Sequence, residues 1–174
     1  MRGKRDSLLK FDHPMNHIWS PWRMEYIEKS KEEACIFCLA QENEDGPENL
    51  IAFRGVRAYV ILNRYPYTSG HLMVVPFDHQ AHFEDLDQRT RAEMMELTTH
   101  CMIVLRKVYH PEAFNIGANI GESAGAGVKA HVHIHIVPRW AGDTNFMSIL
   151  GETRVLPEAL ETTYRRVKDG FSEG

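Results

Sequence analysis

Along residues 113–120, and again along 131–137, apolar and polar side chains alternate one for one. Side chains on a strand point to opposite faces in turn, so this period predicts two half-buried strands. In the second segment, HVHIHIV, Val132, Ile134 and Ile136 take the core face and His131, His133 and His135 the other. In the first, AFNIGANI, Phe114, Ile116, Ala118 and Ile120 share one face, leaving Asn115, Gly117 and Asn119 on the other. The joining loop GESAGAGVKA is rich in glycine, which predicts a hairpin whose Asn/Gly face lies beside the histidines. Gly117 would leave room above the sheet for a ligand.

Three further runs of aliphatic and aromatic residues, 50–54, 57–63 and 71–75, are bounded by Gly or Pro and read as strands. The link 64–70 is short, so the strands it joins should be antiparallel neighbours. The period then changes. Met94, Leu97, Cys101, Leu105 and Val108 recur at three- and four-residue spacing and predict a helix over 88–109, with Cys101 a buried core thiol. Ser20-Pro21 opens a short helix carrying Trp22, Tyr26 and Ile27 inward, and a last helix starts at Pro157 and ends at Gly170. Residues 32–48 read as loop around the motif CIFC, and 1–18 as a tail without periodicity. The whole predicts an α+β domain, an antiparallel sheet of about five strands with one long helix and a shorter C-terminal helix. The domain spans 19–150, with a tail over 1–18 and a helical extension over 151–174.

Composition changes this picture little. The chain has 174 residues, 43% hydrophobic and 25% charged, which suits one ordinary globular domain. A net charge of −4 argues against nucleic-acid binding through a broad basic surface, so an anionic ligand needs a local site. No apolar run reaches the roughly 20 residues of a membrane span, and the basic N-terminus lacks the apolar stretch of a signal peptide. An odd set of three cysteines, two of them in CIFC, points to a reducing compartment and a cytoplasmic protein.

The chemistry gathers at the histidine row. Three imidazoles on one face could ligate a catalytic metal, or one could be a nucleophile with the others as its setting. Cys35 and Cys38 can chelate one Zn²⁺, with His79 or His82 and one member of the row completing a closed site. Main-chain amides of Gly121–Gly127, including Gly125 and Gly127, can form an anion nest, with Lys129 and Arg139 as added charge. Trp140 lies just past the row, where it could stack on a nucleobase.

The pattern His-φ-His-φ-His-φ-φ (φ hydrophobic) resembles the signature of the histidine triad superfamily of nucleotide hydrolases and transferases. The resemblance extends through AYVILNRYPYTSGHLMVVP and NIGESAGAGVKA, most of residues 35–140. The flanks WSPWRMEYI and PRWAGDTNFMSILGETRVLPE are similar to a bacterial branch that includes diadenosine tetraphosphate phosphorylases. That branch is nearer to the fragile-histidine-triad dinucleoside polyphosphate hydrolases than to the phosphoramidases. The resemblance implies a HIT-like fold and cleavage of dinucleoside polyphosphates at the α-phosphorus, by hydrolysis or phosphorolysis. Hydrolysis of phosphoramidates or other adenylylated compounds, and nucleotide-binding regulation with little turnover, are the alternatives. It implies His133 as the nucleophile, His135 on phosphate oxygens near the leaving group, and His131 in a structural zinc site with Cys35, Cys38 and His79. It places Asn63 at the ribose and Asn119 near the phosphates. It also implies a homodimer with sheets joined edge to edge. Where many members carry side-chain donors before the triad, this chain has Ala126-Gly127-Val128, so the amides of Gly127 and Val128 must hold phosphate.

Overall fold

The computed structural model describes residues 34–143 and 158–173. The tail over 1–18 and the helix after Ser20-Pro21 lie outside the described residues; the last helix begins at Leu160, capped by Ala159, and not at Pro157. Five strands, β1 (Ile51–Arg54), β2 (Ala58–Leu62), β3 (Leu72–Pro76), β4 (Ala113–Gly117) and β5 (Ile134–Arg139), form one sheet in the order β1-β2-β3-β5-β4. All neighbours are antiparallel. This is the α+β architecture that the two periodicities predict.

Register decides which residues meet. Ile61 pairs with Met73, Met73 with His135, and His135 with Gly117. Directly opposed residues share a face, so these four form one cross-strand row on the histidine side. Leu62, Leu72 and Ile136 form the next row on the opposite face, and all three are buried. Every residue of β2 and β3 is buried, because both faces of these central strands are covered.

The long helix α2 (Gln88–Tyr109) covers the face away from the histidines. Asp87 caps it, its carboxylate accepting from the amides of Arg89 and Thr90 at 2.7 and 3.0 Å. The helix stops at His110, which adopts a left-handed conformation at φ 48°. Met94, Leu97, Cys101 and Leu105 are buried, as their spacing requires.

Several local features differ from the sequence reading, among them the alternating run over 113–120, of which only Ala113–Gly117 is strand. Within 32–48, residues Ile36–Glu42 form a helix, α1. Leu39, Ala40, Gln41 and Glu42 are good helix formers, but seven residues are too few to display a period. His131 and His133 lie on the extended lead-in to β5, which begins at Ile134. Finally, Gly170 lies inside the C-terminal helix α3 (Leu160–Ser172) instead of ending it. A Cβ there would meet the side chains of Val108 and Val104 at 2.8 and 2.9 Å, so the glycine lets α3 approach α2 closely.

Candidate active site

The histidine row serves two sites. At its N-terminal end His131 is fully buried, and its Nδ1 lies 3.4 Å from Cys35 Sγ and 3.7 Å from Cys38 Sγ. His79 Nδ1 lies 3.2 Å from Cys38 Sγ. The ligand atoms of these four residues all lie within 4.8 Å of one another. A tetrahedral ion with sulfur at ~2.3 Å and nitrogen at ~2.1 Å separates its donors by about 3.5 Å, so the donor set fits a metal. The second shell fits too. His131 Nε2–H donates to Pro76 O at 2.9 Å, which leaves Nδ1 as the ligand nitrogen. Burial holds the His131 pKa down at about 4, keeping that lone pair unprotonated. Burial, and then the Cys35 thiol beside it, pushes Cys38 up to about 11; a cation between the two sulfurs would reverse this. His82, the other candidate from the sequence, is not in the cluster.

One step along the row the environment changes. His133 is only 4% exposed, its ring tilted against Phe37 at 5.0 Å and set edge-on to His135 at 4.8 Å. Its Nδ1 lies 2.9 Å from His131 O. A carbonyl can only accept, so Nδ1 carries the proton and Nε2 the free lone pair. Burial lowers the His133 pKa, and the bond to His131 O offsets only part of this. The result is a neutral imidazole in a fixed tautomer, lining an open cavity of about 450 Å³.

His135 is fixed from the opposite side. The amide of Tyr67 donates to His71 Nδ1 at 3.1 Å, so a neutral His71 carries its proton on Nε2. That nitrogen lies 3.0 Å from His135 Nδ1 and donates to it. His135 then carries its proton on Nε2, as a donor toward an oxygen in the cavity. His71 is a fourth histidine of the site that the sequence reading missed. It is buried, and it orients His135 as a carbonyl orients His133. Its signal in the sequence is a polar side chain at the head of the apolar run HLMVV.

The cavity wall beyond the histidines is apolar, built by Ile36, Phe37 and Leu39 of α1 together with Leu50, Ile61 and Met73. Such a slot suits a flat base, with polar groups at its edge to fix orientation. Of the predicted substrate contacts, Asn63, Gly127 and Val128 line it. Gly117 stands opposite His135, and a Cβ there would touch nothing within 4 Å, so the expected space is present. Asn119, Gly125 and Trp140 are not among the lining residues; Trp140 donates its indole N–H to Tyr109 O at 3.2 Å. The loop amides of Ala124, Gly125 and Ala126 donate to Gly121 or Glu122 carbonyls within the turn. Of this loop, Gly127 and Val128 are the residues that line the cavity. Lys129 forms an exposed ion pair with Glu122 at 3.0 Å, and Arg139 pairs with Asp143.

The chain is similar to known proteins. The HIT domain family matches residues 47–142. An AP-4-A phosphorylase of Mycobacterium tuberculosis is 38% identical over 171 residues, 94% of this chain and 84% of that protein. The asymmetrical bis(5'-nucleosyl)-tetraphosphatase of Schizosaccharomyces pombe is 30% identical over 93 residues, 53% of this chain and 50% of that protein. Among solved structures, a Zn-bound histidine triad family protein from Mycobacterium smegmatis superposes with a TM-score of 0.65 at 26% identity, covering 80% of this chain and 94% of that one. The two fixed tautomers beside a nucleotide-sized slot, and these matches, lead to one statement: the chain belongs to the HIT domain family.

Proposed function

We propose that the protein cleaves dinucleoside polyphosphates at the α-phosphorus through a nucleotidyl-His133 intermediate. The observation that carries this is the tautomer of His133, whose Nδ1 proton is engaged by His131 O while the ring lines the cavity. In the first step Nε2 bonds to phosphorus and the P–O bond to the departing polyphosphate breaks. In the second, an oxygen of water or inorganic phosphate bonds to phosphorus, the Nε2–P bond breaks, and the proton lost by an attacking water passes to solvent. His135 Nε2–H and the amides of Gly127 and Val128 meet the negative charge on the phosphoryl oxygens, oriented before the reaction begins. Asn63 meets the ribose. A polyphosphate leaves as an anion and needs no proton, whereas an amine does. Val128 has no hydroxyl to pass one and Lys129 is held by Glu122, which favours dinucleoside polyphosphates over phosphoramidates.

The metal these residues would hold is a structural zinc. Two thiolates and two imidazoles would supply all four ligands of a tetrahedral ion, leaving no position for substrate. The similarity to an AP-4-A phosphorylase over nearly the whole chain supports phosphate as the second-step acceptor. None of the three cysteines is in a disulfide, which fits the cytoplasm. No described helix is long and apolar enough to cross a membrane. The edge strand β4 exposes its free side, with Ile116 45% exposed, and supports a two-fold dimer joined there.

The test is to incubate the protein with diadenosine tetraphosphate, with and without inorganic phosphate, and to quench in alkaline denaturant, because acid hydrolyses the P–N bond of a nucleotidyl-histidine. A phosphoramidate-linked adenylate on His133 is expected, with ADP formed only when phosphate is present. AMP and ATP in both cases would make water the acceptor. An adduct on no histidine would overturn the mechanism.

A further inference from the structure

A dinucleoside substrate carries two bases, and the cavity beside His133 offers one apolar slot, between α1 and the β1–β2 end of the sheet. The nucleoside bound there is the one transferred to His133. The other must leave past His135. At that end the connection from β2 to β3 carries two aromatic residues separated by a proline, Tyr65 and Tyr67, and both line the same cavity. The Tyr67 ring stands 6.4 Å from the His135 ring, inclined by 28°, and 4.8 Å from that of His71. Tyr65, one step further out, is 51% exposed and is the only exposed large aromatic among the described residues.

An exposed ring on a loop usually reflects a mobile loop, but this loop is tied down along its length. The Tyr65 amide donates to Asn63 Oδ1 at 2.9 Å, and the Tyr67 amide to His71 Nδ1 at 3.1 Å. Thr68 Oγ1 donates to Pro138 O at 3.0 Å, anchoring the loop to β5. Arg64 Nη2 donates to Glu48 O at 2.7 Å, and Arg64 is the only Lys or Arg among the described lining residues. A ring held in place before the ligand arrives loses little conformational freedom on stacking, and its apolar faces gain from being covered.

We propose that Tyr65 and Arg64 form the subsite for the second nucleoside: the Tyr65 ring stacks on the distal base, and the Arg64 guanidinium meets the outer phosphates. This rests on the dinucleoside reading above. Stacking of a base on an aromatic ring changes affinity by roughly five- to a hundred-fold and tolerates different bases, so the subsite selects for the presence of a second base, not its identity.

The test compares diadenosine tetraphosphate with adenosine 5'-tetraphosphate, which has the same four phosphates and one nucleoside. The readout is the ratio of their kcat/KM values in the wild-type protein, in Tyr65→Ala and in Tyr65→Trp. The ratio should fall about tenfold in Tyr65→Ala and return to the wild-type value or above in Tyr65→Trp. A ratio within about twofold of wild type in Tyr65→Ala, or a Trp variant no better than the Ala variant, would overturn the subsite and leave the cleavage reading standing. A folded wild-type protein that turns over neither compound would remove both together.

Discussion

His131 and His135 occupy equivalent places in the sequence, each a histidine next to Val or Ile in one alternating run, yet they stand in opposite surroundings. His131 is sealed from solvent, its Nε2 donating to Pro76 O and its Nδ1 facing two thiols. His135 is half-buried at the cavity, its Nδ1 accepting from His71. The run itself does not distinguish them. What distinguishes them is β3, which passes antiparallel to β5 and presents a different end to each. Its C-terminal end brings a carbonyl and leads on to His79; its N-terminal end brings His71. One strand lays out a row of imidazoles, and its neighbour assigns their roles.

The largest effects should separate the two ends cleanly. His133→Ala should lower kcat by about 10⁴-fold or more, as loss of a nucleophile does, with metal content unchanged. His131→Ala should lose the metal. For a metal present at about 1,000 times its dissociation constant, that loss removes ~4 kcal/mol of stability, or about 8–16 °C in Tm for a chain of this size. Metal analysis and thermal melts on both variants measure this. A His133 variant that lost its metal, or a His131 variant that kept it, would break the division.

Removing the metal from the intact protein sharpens the same point. Helix α1 and its N-cap, Cys35, supply both thiols, and the helix also supplies part of the apolar wall of the nucleotide slot; a seven-residue helix does not persist alone. It has other ties, Tyr59 Oη to Phe37 O at 2.9 Å and Asn49 Nδ2 to Ala40 O at 3.1 Å, so the domain should stay folded when a chelator takes the ion. Nucleotide affinity should nevertheless fall by about tenfold as the wall loosens, on the scale of 1.4 kcal/mol. Calorimetric titration with AMP before and after chelation checks it. An unchanged dissociation constant would mean that the metal serves stability alone.

At His71 the expected effect is smaller and falls on rate. His71→Ala leaves His135 without its oriented donor, and kcat should drop about 10- to 100-fold, the usual scale for such a supporting partner. KM should move little, because the apolar slot is untouched. His71→Gln, whose amide can still donate toward His135 Nδ1, should recover part of the rate. Equal losses in the two variants, with KM rising in step, would reduce His71 to a packing residue.

His71 also shows where the sequence stopped being legible. The alternation at 131–137 and the stripe over 88–109 needed only local order, and the sheet strand and the long helix follow from them; the metal donors came from the CxxC spacing and the family resemblance. His71 sits 64 residues before His135, and only the cross-strand register brings the two rings together. Helix α1 was hidden by its length. Gly170 was misread because glycine ends a helix and permits close helix contact for the same reason, the missing side chain. Trp140 follows the row in sequence, but its indole is bonded to Tyr109 O, and adjacency along the chain did not bring it to the cavity lining.

The smallest predicted effect bears on how phosphate is held at the catalytic end. Lys129 is the nearest cation in sequence to the row, and by charge alone it is the obvious phosphate ligand. Its ammonium is paired with Glu122 at the surface, where both side chains are well exposed and the pair contributes little. If the Gly127 and Val128 amides and His135 carry the phosphate, Lys129→Ala should change kcat/KM by less than about twofold at physiological salt. Repeating the measurement at low salt separates contact from long-range attraction, since a remote charge acts more strongly there while a direct ligand matters at both. A tenfold loss at both salt concentrations would return the lysine to the site and transfer the phosphate from the main chain to a side chain.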